Sequence, residues 1–180
     1  MKKIIVIMLF IGAPFLYGII GGIMLNGGFI PAPNYKKMER YFSDNIKELS
    51  FVAESLSKLE YEYIVLRETE GSSIMYATNT EFMPNTNIEI GKIGGNISIS
   101  DVSLVKNIEK LYEKGFSCIE KKGDKYIIFV RWSSLNSGRG IVFSINGDEP
   151  DVDNIIDLKS LPIENWYYYE DNYELAKKKD

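Results

Sequence analysis

The densest run of chemically capable side chains is residues 146–157, NGDEPDVDNIID, with Asp148, Glu149, Asp151, Asp153 and Asp157. Oxygen ligands at alternating positions suit a calcium ion. The spacing does not follow a calcium loop, however. Counted from Asp151, Ile155 falls on the third ligand position and Ile156 where the turn glycine is needed. A solvated acidic loop is expected. A second constellation is Trp166-Tyr167-Tyr168-Tyr169. Exposed tyrosines and tryptophans give large, amphipathic contact area and are favoured at interfaces. The competing expectation is a strand that sends alternate rings to the core. A third is Ser137-Gly138-Arg139-Gly140 beside Ser133 and Ser134, a Gly-rich turn whose amides could hold an anion. It lacks the Gly-Lys-Ser/Thr of a phosphate loop, so a flexible loop is expected.

Other chemistry is closed by composition. The chain has no histidine and one cysteine, Cys118. Ser-His-Asp and Cys-His nucleophile pairs cannot be assembled, nor can a histidine or thiolate zinc site. Cys118 has no partner for an internal disulfide and reads as a buried strand residue. No catalytic, metal or cofactor residues are assigned. The residues nominated for contact with a partner are Trp166, Tyr168, Asp148, Asp151 and Asp153, the aromatics supplying area and the acids steering toward a basic surface. The net charge of −4 speaks against nucleic acid, which needs a basic face.

These residues must be positioned by elements that begin with a long apolar run. Residues 4–25, IIVIMLFIGAPFLYGIIGGIML, carry no charge and follow Lys2 and Lys3. About 20 such residues span a bilayer as a helix. The run exceeds the core of a secretory signal, and no Ala-x-Ala cleavage site follows it. The expectation is an uncleaved anchor, with the lipid bilayer as partner through residues 4–25. The alternative is a cleaved signal and a secreted domain. Lys2 and Lys3 on one flank, against the uncharged residues 26–35 on the other, place the N-terminus in the cytoplasm and the rest outside. Gly18 and Gly22 form a Gly-x-x-x-Gly pair, although small residues are common in spans.

Residues 26–34, with Gly27, Gly28, Pro31 and Pro33, form a short linker. One α+β domain over 35–174 follows. The first helix runs from about Tyr35 to Leu59, on the apolar recurrence of Met38, Phe42, Ile46, Leu49, Val52, Ala53, Leu56 and Leu59. Hairpins are expected at 61–67 with 73–77 and around Gly94-Gly95-Asn96. A second helix is capped by Ser100 or Asp101, carries Leu104, Val105, Ile108, Leu111 and Tyr112, and ends at Gly115. Strands at 116–120, 125–132 and 140–145 follow. Residues 148–165 read as irregular, Trp166–Tyr169 as a last edge strand, and 175–180 as a frayed tail. No strand–helix–strand unit dominates, so the sheet should be antiparallel with two helices on one face. Ile127, Phe129 and Val142 should pack together against the helix stripes. A shift of the chain by 52 residues aligns the helix stripes with four identities, too few to establish a repeat.

The abundance of Ile, Lys and Asn over Ala and Arg follows AT-rich codons and suggests a bacterial source. The expected role is that of a membrane-anchored, extracytoplasmic binding domain for a protein or cell-envelope ligand. An immunity protein or envelope sensor is the alternative within that class. An anchored hydrolase using carboxylates is the alternative outside it.

Overall fold

The computed structural model describes residues 31–61, 63–67, 101–134, 136–151 and 154–176. The apolar run 4–25, the expected strand at 73–77, the hairpin around 94–96 and Asp153 lie outside the described residues. Among those described, no helix is long and apolar enough to cross a membrane.

Helix α1 (Tyr35–Ser57) starts where the Asn34 side chain accepts a hydrogen bond from the Lys37 amide, as a good N-cap does. Its apolar stripe is buried as expected, with Met38, Phe42, Leu49, Val52, Ala53 and Leu56 all in the core. The helix is kinked at Asn45, where φ is −128°. The buried Asn45 side chain donates to the Tyr41 carbonyl at 2.8 Å. Strand β1 (Tyr63–Arg67) follows. Helix α2 (Val102–Glu113) is capped by Asp101, whose carboxylate accepts from the Ser103 and Leu104 amides. It ends at Gly115, where φ is +85°. There the Gly115 amide donates to Tyr112 and the Phe116 amide to Leu111. This paired closure needs a left-handed residue, which glycine adopts without strain.

The strands are β2 (Cys118–Lys122), β3 (Tyr126–Ser133), β4 (Ser137–Ser144), β5 (Ile155–Ser160) and β6 (Trp166–Asn172), with a short helix α3 (Tyr173–Ala176) after them. They form one sheet, ordered β1-β2-β3-β4-β6-β5, in which every neighbouring pair is antiparallel. An α+β fold with an antiparallel sheet is what the element order led one to expect. Both long helices cover one face. Their stripes share a core with Ile64, Leu66, Ile119, Ile127, Phe129, Ile141, Trp166 and Tyr168.

Four expectations are corrected. Residues 148–165 are not wholly irregular, because β5 occupies Ile155–Ser160. Ser137-Gly138-Arg139-Gly140 is not a flexible loop but the start of β4. Gly140 is needed there: a Cβ would collide with the Phe129 carbonyl oxygen and lie 2.7 Å from the Tyr169 ring. The aromatic strand is not an edge, since β6 lies between β4 and β5. Val142 is buried, but on the face opposite the helices, with Ile128 and Tyr169. Its cross-strand partners Ile128 and Tyr167 fix that orientation.

The second face also carries a small buried cluster, Ile128, Val142 and Tyr169. Strands β4 and β5 run parallel to each other with β6 between them, so the chain after Ser144 must return along the sheet to reach Ile155. It does so over the second face. Tyr126, on that face, donates its hydroxyl to the Asp151 carbonyl at 2.7 Å, and Pro150 is buried.

Candidate functional site

The nominated contact residues separate. Trp166 is 3% exposed and Tyr168 1%. Trp166 packs against Phe42, Phe129 and Phe143 with ring centroids 5.3, 5.8 and 4.9 Å away. Neither ring offers area to a partner, and the combined aromatic–acidic surface is not formed by these side chains. The reason is register: Trp166 pairs with Phe143 and Tyr168 with Ile141, both on the helix-covered face. The acids remain outside. Asp148, Glu149 and Asp151 are exposed on the β4–β5 crossover, whose Asp151 carbonyl meets Tyr126 on the opposite face of the sheet. The Asn146 side chain donates to the Asp148 carboxylate at 3.2 Å.

A second constellation, missed at the level of sequence, surrounds the point where the chain enters α1. Arg139 and Glu170 are cross-strand partners on β4 and β6. They form an ion pair at 2.6 Å with each side chain under a quarter exposed. The other guanidinium arm donates to the carbonyl of buried Pro33 at 3.2 Å. The second Glu170 oxygen accepts from the Tyr168 hydroxyl at 3.2 Å. Tyr35 meets Tyr168 edge-on at 5.7 Å and donates its hydroxyl to the Ser160 carbonyl at 3.0 Å. Lys159, paired with Asp157, lies over both tyrosine rings. The chain is therefore fixed to the sheet from Pro33 onward. Burial, then the Glu170 carboxylate, pushes the Tyr168 phenol up to about 12.

Two further devices anchor the helices. A register shift between Val130 and Trp132 leaves the Arg131 guanidinium bound to the Gly115 carbonyl at 2.6 Å and 4.5 Å from the centre of the Tyr41 ring. Lys121 is 1% exposed and donates to the Leu59 carbonyl at 2.5 Å, just past the end of α1. A cation at that end also meets the negative pole of the helix.

Two further titratable groups are shifted by burial. Cys118 is buried, as expected, and donates to the Glu120 carboxylate at 3.4 Å. Burial, with Glu120 adding to it, pushes the thiol up to about 12. A nucleophilic cysteine needs the opposite environment. Asp171 accepts from the Gly138 amide. Burial raises its carboxyl above the usual aspartate range, against the lowering effect of that hydrogen bond. Among the described residues, no group of three or more acidic or cysteine side chains is placed to hold a metal ion.

Comparison with known proteins gives no match to a family model, to a curated protein or to a solved structure.

Proposed function

We propose that this chain is a single-pass membrane protein whose α+β domain works outside the cytoplasm by binding a protein or cell-envelope ligand. The observation that carries the reading is the uncharged run of residues 4–25, which is long enough to span a bilayer. The seating of Pro33 by Arg139 supports it, because it joins the domain to that run by a short connection. The exposed acids of the crossover, Asp148 and Asp151, are the contact residues retained in this reading, steering toward a basic partner. An immunity protein or envelope sensor is the alternative within this class.

The test is the mass of the mature protein extracted from membranes. Retention of the apolar run supports the anchor, and a start near Ile23 replaces it with a secreted domain. For the contact residues, a charge-reversed Asp148→Lys/Asp151→Lys variant is expected to slow association with the partner once one is captured.

A second reading, an anchored hydrolase, is favoured by one observation. A carboxyl raised by burial, as at Asp171, is what a general acid requires. Loss of a measured turnover in Asp171→Asn, with binding intact, would move the protein to that class.

A further inference from the structure

Strand β5 ends the sheet on one side. Among the described residues it pairs with β6 alone, so its other side is an edge. An edge offers unpaired amides and carbonyls to any extended chain. The Leu161 amide donates to the Trp166 carbonyl, which turns the backbone groups of that residue toward β6. Those groups alternate in direction along an antiparallel strand. The amides and carbonyls of Ser160 and Leu158 therefore point outward.

The start of α1 closes part of this edge. Tyr35 donates its hydroxyl to the Ser160 carbonyl at 3.0 Å. The phenol thus stands where an added strand would lie, about 4.8 Å from β5. Its ring is held by the edge-on contact with Tyr168 and by the Lys159 ammonium above it. At the other end, the register shift between Ile155 and Asp157 distorts the strand. Asp157 to Ser160 is the regular part of the edge.

The side chains there select a partner strand. Asp157 and Lys159 pair with each other on the helix-covered face, where Lys159 also meets the Tyr168 ring. Two copies of β5 can be set antiparallel with Leu158 opposite Leu158. The outward Leu158 backbone groups then exchange hydrogen bonds, and Asp157 of each copy lies opposite Lys159 of the other. Opposite charges directly across a strand pair are stabilising, and like charges are not. Moving the two-fold axis by one residue sets Asp157 against Asp157, or Lys159 against Lys159. Charge complementarity picks out the one register centred on Leu158.

We propose that β5 is a self-association edge for a second copy of this chain, centred on Leu158, and that Tyr35 holds it shut. The inference needs only the edge of the domain and is independent of the membrane reading.

The test uses the full chain in detergent micelles, with its mass read by sedimentation. Every variant is compared with the parent, so any association through residues 4–25 is common to all. Tyr35→Phe frees the Ser160 carbonyl, and Tyr35→Ala also clears the ring from the edge. The association constant is expected to rise about fivefold in Tyr35→Phe, the worth of one hydrogen bond, and further in Tyr35→Ala. Adding Asp157→Lys should cancel the rise, and the exchanged pair Asp157→Lys/Lys159→Asp should restore it. Leu158→Cys in the Tyr35→Ala chain should form an intermolecular disulfide. The Cα atoms of a hydrogen-bonded antiparallel pair lie about 5.5 Å apart, within disulfide reach. Ser160→Cys, which does not meet its own copy in this register, should not. Cys118 is buried and its thiol is not ionised at neutral pH, so the cross-link reports the introduced site. Parental mass in both Tyr35 variants, with circular dichroism showing a folded chain, overturns the proposal. Association indifferent to Asp157→Lys, or a disulfide at position 160 as ready as at 158, overturns it in favour of a different contact. If Tyr35→Ala does not fold, Tyr35→Phe, which keeps the ring, decides alone.

Discussion

At the scale of single residues, the titratable groups make the sharpest expectations. Cys118 should resist a thiol reagent at pH 8 in the native protein and react quickly in denaturant, because its thiol is pushed up to about 12 by burial. Comparable rates in both states would mean the β2 face is open. Asp171 has a raised folded pKa. Its contribution to stability is therefore complete below the unfolded value of about 3.9 and is lost as pH rises through the folded value. An Asp171→Asn variant keeps an acceptor for the Gly138 amide and carries no charge. Relative to the parent, it should gain stability between pH 4 and pH 7 in denaturant titrations, and a flat difference across that range would contradict the buried, costly carboxylate. Tyr168 behaves alike at the alkaline end. Its phenol, raised to about 12, favours folding below an unfolded value of about 10 and ceases to do so as pH passes 12. Residue chemistry was partly legible in the sequence. The buried thiol followed from the hydrophobic character of a free cysteine in a strand-like run, whereas the Arg139–Glu170 pair joins residues 31 positions apart and needed the strand order to be seen.

At the scale of elements, the helices were readable, β6 was read as a strand but at an edge, and β5 was missed. The stripes of α1 and α2 recur every three to four residues, and their caps, Asn34 and Asp101, occupy the positions that side-chain capping demands. Strands β5 and β6 gave weaker signals for a physical reason. Alternation marks a strand only when one of its faces is wet. Tyr169 is buried on the second face with Ile128 and Val142, as Trp166 and Tyr168 are under the helices, so both faces of β6 carry buried rings. Glycines misled in the same region. Gly138 and Gly140 suggested a loop, but a strand uses glycine where another backbone or ring approaches closely. Gly140→Ala should therefore cost about 3 kcal/mol by overpacking, measured as a fall in the denaturant midpoint. Little change would imply that β3 and β4 can part more easily than their register allows.

At the scale of the whole molecule, one core joins both helices to five of the strands' inward faces, and cavities in it should be expensive. Leu56→Ala and Leu111→Ala should each cost about 2–5 kcal/mol and Trp166→Ala about 3–5 kcal/mol in the folded chain. Calorimetry or denaturant unfolding that left any of them near parental stability would break the helix-on-sheet arrangement. The Trp166 effect should appear as lost folding, not as lost affinity in a folded protein, since the ring is 3% exposed. The placement of β6 between β4 and β5 also sets an order of events during synthesis. The slot beside β4 stays open while β5 emerges, and only Trp166–Asn172, the last strand made, can close it. Until then β4 shows an unpaired edge, and the core lacks its central indole. A nascent chain held at Leu161 should thus be protease-sensitive and prone to pairing with its neighbours. Release of the remaining residues is the step that commits the domain to its fold.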